Sequence, residues 1–340
     1  MRRLGQAAWL TPPLVLLLAG AAAADPIGRA GGGLDEQDLS ATAAANPETI
    51  VFDERRNGDG GPLTTTSRNW SPPPCWYAPS WSPEQLRDLA EDSWDPSEQT
   101  GHAAAALGWM WNHYEGGDPY TDFNAEEAEN GMWWGPVENP NEPDPLLRMD
   151  CSEIPFWVET GVVPDVERAL SPAVLAELAY ERIRVPDTEV ALSPPEAAGQ
   201  VVNLPTWVWA EAGDYAPVAV TATLTSWDLS ATTTATPTAL RIEPGTPDAE
   251  THPASGDCPI AADGSVGAPF VPGVDEDTTP PCGLTYLRAT AGGASYPLTA
   301  SITWTITWEG SDGSGGTLPD ATFATTHDVQ VNEIQSVVRP

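Results

Sequence analysis

Between Tyr296 and Trp308 the chain alternates without a break. Tyr296, Leu298, Ala300, Ile302, Trp304, Ile306 and Trp308 fall on one side, and Thr299, Ser301, Thr303, Thr305 and Thr307 on the other. A period of two puts successive side chains on opposite faces, so this run predicts a long β-strand with one buried side. Gly310–Gly316 predicts a flexible turn, and the threonine-rich alternation of Phe323–Val331 predicts the returning strand of a hairpin. Val218, Val220, Ala222 and Leu224 alternate with Ala219, Thr221, Thr223 and Thr225 in the same way. Thr232–Thr238 and Pro244–Pro281 read as long loops.

Before Val201 the period is helical. Ser82-Pro83-Glu84-Gln85 offers Ser as N-cap, Pro at the first helical position and Gln at the third, a good start for a helix running to about Ser93. Ser171-Pro172 opens a second helix, with Val174, Leu175, Leu178 and Ile183 at helical spacing and Pro186 closing it. Trp70-Ser71-Pro72-Pro73-Pro74-Cys75-Trp76-Tyr77 is stiff polyproline flanked by aromatics. His102–Pro145 reads as an aromatic, acidic and irregular stretch. Gly31-Gly32-Gly33 and Asn57-Gly58-Asp59-Gly60-Gly61 lie in a segment that cannot nucleate a core, with one short strand expected at Thr49–Phe52.

These patterns divide the chain into four parts: a signal peptide (1–24), a disordered leader (25–69), a Trp-rich, disulfide-braced N-terminal domain with two helices (70–200) and an antiparallel β-sandwich (201–340). The expected fold class is mainly β, with a small α+β or irregular N-terminal domain. The signal rests on Arg2 and Arg3, the apolar stretch through Leu14–Leu18 and the small run Ala19–Ala24. That apolar run is shorter than the ~20 residues of a membrane span, and no other segment is apolar enough to cross a bilayer. The mature chain is therefore expected outside the cytoplasm, secreted or associated with the cell wall. No lipobox cysteine follows the apolar run, and the surroundings of the two arginines favour the general secretory route. Leu318-Pro319-Asp320-Ala321-Thr322 is faintly like a sortase site but lacks an apolar tail.

Charge sharpens the picture. The 340 residues carry 14 Lys plus Arg against 49 acids, a formal net charge of −35, and not one of the cations is lysine. Such a field repels phosphate backbones and anionic head groups, so nucleic-acid and membrane-surface partners are disfavoured. Without lysine there is no Walker A loop, Schiff-base lysine or Ser-Lys pair. Four cysteines, Cys75, Cys151, Cys258 and Cys282, predict two disulfides in an oxidising compartment. Three pairings are open, and proximity in sequence favours Cys75–Cys151 and Cys258–Cys282. Each closed loop is worth roughly 3–4.5 kcal/mol in the chain-entropy picture. No C-x-x-C spacing supports zinc instead.

The C-terminal part resembles PKD-like, immunoglobulin-class sandwich domains. Trp227-Asp228 matches the start of their turn motif, with Leu229-Ser230 in place of its glycine and aspartate. Tyr286, Gly293, Tyr296, Leu298, Ala300 and Ile302 match their late strand run. The resemblance covers Val218–Val338. Cys75-Trp76-Tyr77, Leu175–Glu181 and Leu204-Pro205-Thr206-Trp207 make the mature chain similar to a group of uncharacterised actinobacterial secreted proteins. That resemblance implies secretion and this architecture, and it implies no activity.

The candidate chemistry is sparse. Trp109-x-Trp111 and Trp133-Trp134 are candidate ligand contacts, because an outward indole is a flat platform for a sugar ring. On extended backbone two adjacent rings point to opposite sides, leaving one free to face solvent. The competing reading is that large rings build the core of a domain short of regular structure. Trp304 and Trp308, on the buried face of the long strand, are expected in the core. Asp118, Asp122, Asn124 and Glu126 are closely spaced oxygen ligands of the kind Ca²⁺ takes, without the ligand order of an EF-hand. The bland alternative is a solvated acidic loop. Acids in the same stretch also admit a glycosidase pair, which requires carboxyls about 5–9.5 Å apart. No His-Glu-x-x-His, no Gly-x-Ser-x-Gly and no free thiol occurs, and the threonines of Thr232–Thr238 admit O-glycosylation. The sequence thus points to a secreted or surface structural and interaction protein with no evident catalysis and no cofactor. Its expected partner is a cell-envelope polysaccharide or a surface protein. Carbohydrate binding through tryptophan is the alternative, and a glycoside-active enzyme comes third.

Overall fold

A computed structural model describes residues 50–94 and 101–334. The expected signal peptide, and the expected leader as far as residue 49, lie outside the described residues. The first strands are β1 (Val51–Arg56), β2 (Gly61–Pro62), β3 (Thr64–Thr65) and β4 (Cys75–Trp81). Helices α1 (Pro83–Ser93) and α2 (His102–Tyr114) follow, then β5 (Gly131–Glu138), the short α3 (Pro145–Arg148), β6 (Phe156–Glu159) and α4 (Pro172–Arg182). The chain continues as β7 (Arg184–Val185), β8 (Ala191–Ser193), β9 (Gln200–Val201), β10 (Pro205–Ala210), β11 (Val218–Leu224), β12 (Leu229–Glu243) and β13 (Ala249–His252). The last strands are β14 (Asp257–Pro259), β15 (Val266–Gly267), β16 (Gly283–Tyr286), β17 (Tyr296–Gly310), β18 (Gly315–Val329) and β19 (Val331–Asn332). The class is mainly β, and most of the strand pairing is antiparallel. Among the described residues no helix is long and apolar enough to cross a membrane.

A seven-stranded sheet runs β1-β11-β12-β17-β18-β3, with β14 added beside β12. The alternation of β17 translates directly into its two faces. Leu298, Ala300, Ile302, Trp304 and Ile306 are each at most 1% exposed. In register, Leu240 lies opposite Ile302, and Ala321 opposite Trp304. The other face is hydroxylic, with the Thr221 and Thr232 hydroxyls 2.8 Å apart across neighbouring strands. Helix α4 covers part of the apolar face, packed on β11, β12 and β17. One polar residue faces it there: buried Thr233 donates its hydroxyl to the Ala176 carbonyl of α4, 2.8 Å away. A second sheet runs β13-β16-β10-β15, with β8 also paired to β10. Its Val208, Leu284 and Tyr286 belong to the same core as the large sheet.

Three expectations are corrected. Thr232–Thr238 is no loop but the middle of β12. Pro237 misleads as a strand breaker. It sits at a bulge in the β17 ladder, between Ala235, the last partner of β11, and Ala239, the first partner of β14. That is where a residue without an N–H is tolerated inside a sheet. Residues 50–69 are not a disordered leader, because β1 pairs with β11, β2 with β7 and β3 with β18. Short edge strands take their order from backbone pairing and show little apolar period. No break falls at residue 200 either. Helix α4 packs on the large sheet, β8 pairs with β10, and β9 pairs in parallel with β19.

The disulfides are Cys75–Cys151 and Cys258–Cys282. All four cysteines are buried in the large core. The first closes a long loop that contains most of a second, smaller core.

Candidate functional site

That second core is made of rings. Leu86, Ala90, Trp94, Leu107, Met110, Tyr114, Phe123 and Trp133 form it, with Trp81, Trp111, Tyr120 and Trp157 around them. Helix α1 enters through a capping box: the Gln85 amide donates to Ser82 Oγ at 3.2 Å, and the Ser82 amide to Gln85 Oε1 at 2.8 Å. Its Leu86 and Ala90, one turn apart, point inward. Helix α2 corrects the expectation of an irregular His102–Pro145 stretch. An alanine run of high helix propensity starts it, and Leu107, Met110 and Tyr114 supply its buried stripe. Tyr114 donates its hydroxyl to the Pro155 carbonyl at 2.7 Å, and burial pushes its phenol well up.

The turn after α2 is strained. Asp122, Phe123 and Asn124 have φ of 47°, 53° and 59°, three consecutive non-glycine residues in the left-handed region. Such residues cost about 1–3 kcal/mol each and persist only where the surroundings fix them. Here the Phe123 side chain is fully buried. Its carbonyl accepts the Trp133 indole N–H at 2.9 Å. The Arg87 guanidinium holds Asp122 through its carbonyl at 3.2 Å and its carboxylate at 2.6 Å, and lies over the Phe123 ring.

The structure separates the four candidate tryptophans. Trp133 and Trp134 are both fully buried, so neither is a ligand platform. They sit on the central strand of the β4-β5-β6 sheet, opposite Trp157 and Phe156. The two rings do point to opposite sides, but both sides are covered. Trp133 enters the aromatic core, and Trp134 enters the large core against Trp227, ring centroids 5.4 Å apart. Gly135 follows from the same packing, because the Trp81 ring occupies the space a Cβ would need. Trp111 is half-buried, edge-on to Phe123. Trp109 stays outside, 55% exposed. One face of its ring stacks on His113, one turn on, at 5.1 Å and 27° between planes. His113 in turn meets Tyr114 and Tyr120 edge-on. Burial pulls the His113 pKa down, and nearby Asp118 opposes the shift. His113 and Tyr120 were not singled out from the sequence, although the Trp-x-x-x-His spacing after an alanine run was a readable signal.

Of the oxygen-ligand set, Asp122 pairs with Arg87, and the charge of Asp118 acts on His113. Among the described residues no three His, Cys, Asp or Glu side chains converge on a point that could hold a metal ion. Away from this corner, an open depression of about 320 Å³ over the β1–β11 pair is lined by Asp53, Arg55, Arg56, Ala219 and Thr221. The Arg55 guanidinium hydrogen-bonds Asp53 and brings its carboxyl down to about 2. No protein-family profile, curated protein or solved structure matches the chain.

Proposed function

We propose that this is a secreted or cell-surface interaction protein that performs no catalysis, with the aromatic corner as its contact surface. In this reading the seven-stranded and five-stranded sheets form an immunoglobulin-class, PKD-like sandwich that displays the corner. One observation carries the proposal: a 55%-exposed tryptophan stands on a corner whose other rings are all buried or half-buried. Two formed disulfides suit an oxidising compartment. The test is to express the full chain in a secreting host. Recovery from the culture fluid or cell wall, with a new N-terminus near Asp25, supports the proposal. Recovery from the cytoplasm with four free thiols overturns it.

A second reading makes the partner a polysaccharide. Its support is the geometry of Trp109, one ring face seated on His113 and the indole otherwise open. A flat, amphipathic ring of that kind provides contact area at little entropic cost. Glycan-panel binding by the mature protein, lost in Trp109→Ala, supports this reading. A blank panel overturns it.

A further inference from the structure

The two disulfides differ in what surrounds their sulfurs. Cys258 sits inside β14, opposite Leu240 of β12, and Cys282 is fixed against the second sheet, its carbonyl accepting the Val208 amide at 3.0 Å. Neither is more than 1% exposed, and Arg241 on the neighbouring strand is held by Glu243 and Asp257. Cys75, at the start of β4, is fully buried as well. Cys151 is the exception. It lies in an irregular stretch between α3 and β6, flanked by exposed Asp150, Ser152 and Glu153, and at 6% it is the most exposed of the four.

A cation stands against the other sulfur of that bridge. Arg168 Nη1 points its N–H at Cys75 Sγ, 3.7 Å away. Arg168 is held there from two sides. The carboxylate of Asp150, next to Cys151 in the chain, accepts from the same Nη1 at 2.9 Å. The Arg168 carbonyl accepts the Tyr77 amide of β4 at 3.0 Å. Its φ of 63° lies in the left-handed region, an uncommon place for a long side chain. A disulfide opens when a thiolate attacks one sulfur and the other departs as thiolate, and the step is faster the lower the pKa of the departing thiol. A neighbouring arginine lowers a thiol pKa. The bridge thus presents its more reachable sulfur for attack and stabilises the charge that forms on the buried one.

We propose that Cys75–Cys151 is an exchange site for small thiols, modified at Cys151. The incoming thiolate forms a bond to Cys151 Sγ as the Cys75–Cys151 bond breaks, and the electron pair of the broken bond leaves on Cys75 Sγ beside Arg168. The product is a mixed disulfide on Cys151 and a Cys75 thiolate, with no net gain or loss of electrons. A dithiol completes the reduction: its second thiolate attacks its own sulfur in the mixed disulfide, closes to a cyclic disulfide and releases Cys151 as thiolate. The Cys75–Cys151 bridge spans 76 residues and closes the loop that contains most of the aromatic core. Exchange therefore opens the brace of the aromatic corner and leaves Cys258–Cys282 closed.

Timed exposure of the native mature protein to 2-mercaptoethanol or dithiothreitol, followed by alkylation and peptide mapping by mass spectrometry, tests this. Cys75–Cys151 should open while Cys258–Cys282 is still intact, and the monothiol adduct should sit on Cys151. Arg168→Asn, which removes the charge with a residue that tolerates left-handed backbone, should slow the opening severalfold. Arg168→Gly should slow it too, whereas a merely structural role for Arg168 predicts faster opening in both variants as the brace loosens. Melting temperatures of the variants show whether the fold is intact. Opening of Cys258–Cys282 first or at the same rate, an adduct on Cys75, or opening as fast or faster in both folded variants overturns the proposal. The first two outcomes are read on the unaltered protein and do not depend on how the variants fold.

Discussion

The large core and the aromatic corner bury their apolar groups with different materials. The large core stacks small and branched aliphatics in register across 15-residue strands and holds both disulfides. The corner has two helices, a strained turn and three short strands. It holds together through rings packed edge to face: Tyr114 on Trp133 at 5.1 Å, Tyr120 on Trp133 at 4.6 Å and Trp157 on Trp133 at 5.4 Å. An indole buries far more area than a valine, so a few rings suffice where strands are too short to build a face. Such packing also concentrates stability in single residues, whereas a ladder spreads it.

The largest expected effect follows from that concentration. Trp133→Ala should cost about 4 kcal/mol, since it leaves a large cavity and strips the Phe123 carbonyl of its donor. Ile302→Ala in the ladder should cost about 3 kcal/mol. Urea denaturation of both variants checks the order, and a reversed order breaks the comparison. Next comes Gly135→Ala, about 2 kcal/mol, because the added methyl must displace the Trp81 ring. Ser82→Ala removes one half of the capping box and should cost about 1 kcal/mol.

The smallest effect sharpens the contrast from the side of the large core. Burial on α4 raises the pKa of Glu177 above its ordinary 4.5, opposed by a hydrogen bond from Trp70. A carboxyl with a raised folded pKa adds stability below its unfolded pKa, and that contribution is lost as pH rises through the folded value. Glu177→Gln should therefore stabilise the protein slightly at neutral pH, with the gain vanishing below about pH 4.5. Melting temperatures across that range check the sign. A gain that grows toward acid pH contradicts it.

What the sequence disclosed follows the same divide. The long strands were readable because one face is buried and the other hydroxylic, which writes a period of two into Val218–Leu224 and Tyr296–Trp308. Both capped helices were readable from Ser-Pro starts. Of the edge strands, β1 was readable only at its start, in the short strand expected at Thr49–Phe52, and β2 and β3 were not, because too few of their side chains are buried to leave a pattern. Within the candidate site Trp109 was legible as an outward ring. Trp133-Trp134 was not, because alternation tells which side a ring faces but not whether that side is covered. The acids of the calcium set are neighbours in sequence, and the fold commits Asp122 to an arginine 35 residues away.

Hydroxyl-radical footprinting of the native protein, with oxidation read at each tryptophan by mass spectrometry, tests the central distinction most directly. The account predicts rapid labelling of Trp109, and protection of Trp133 and Trp134 until the chain is denatured. Labelling of Trp133 or Trp134 at the rate of Trp109 in the folded protein would contradict it.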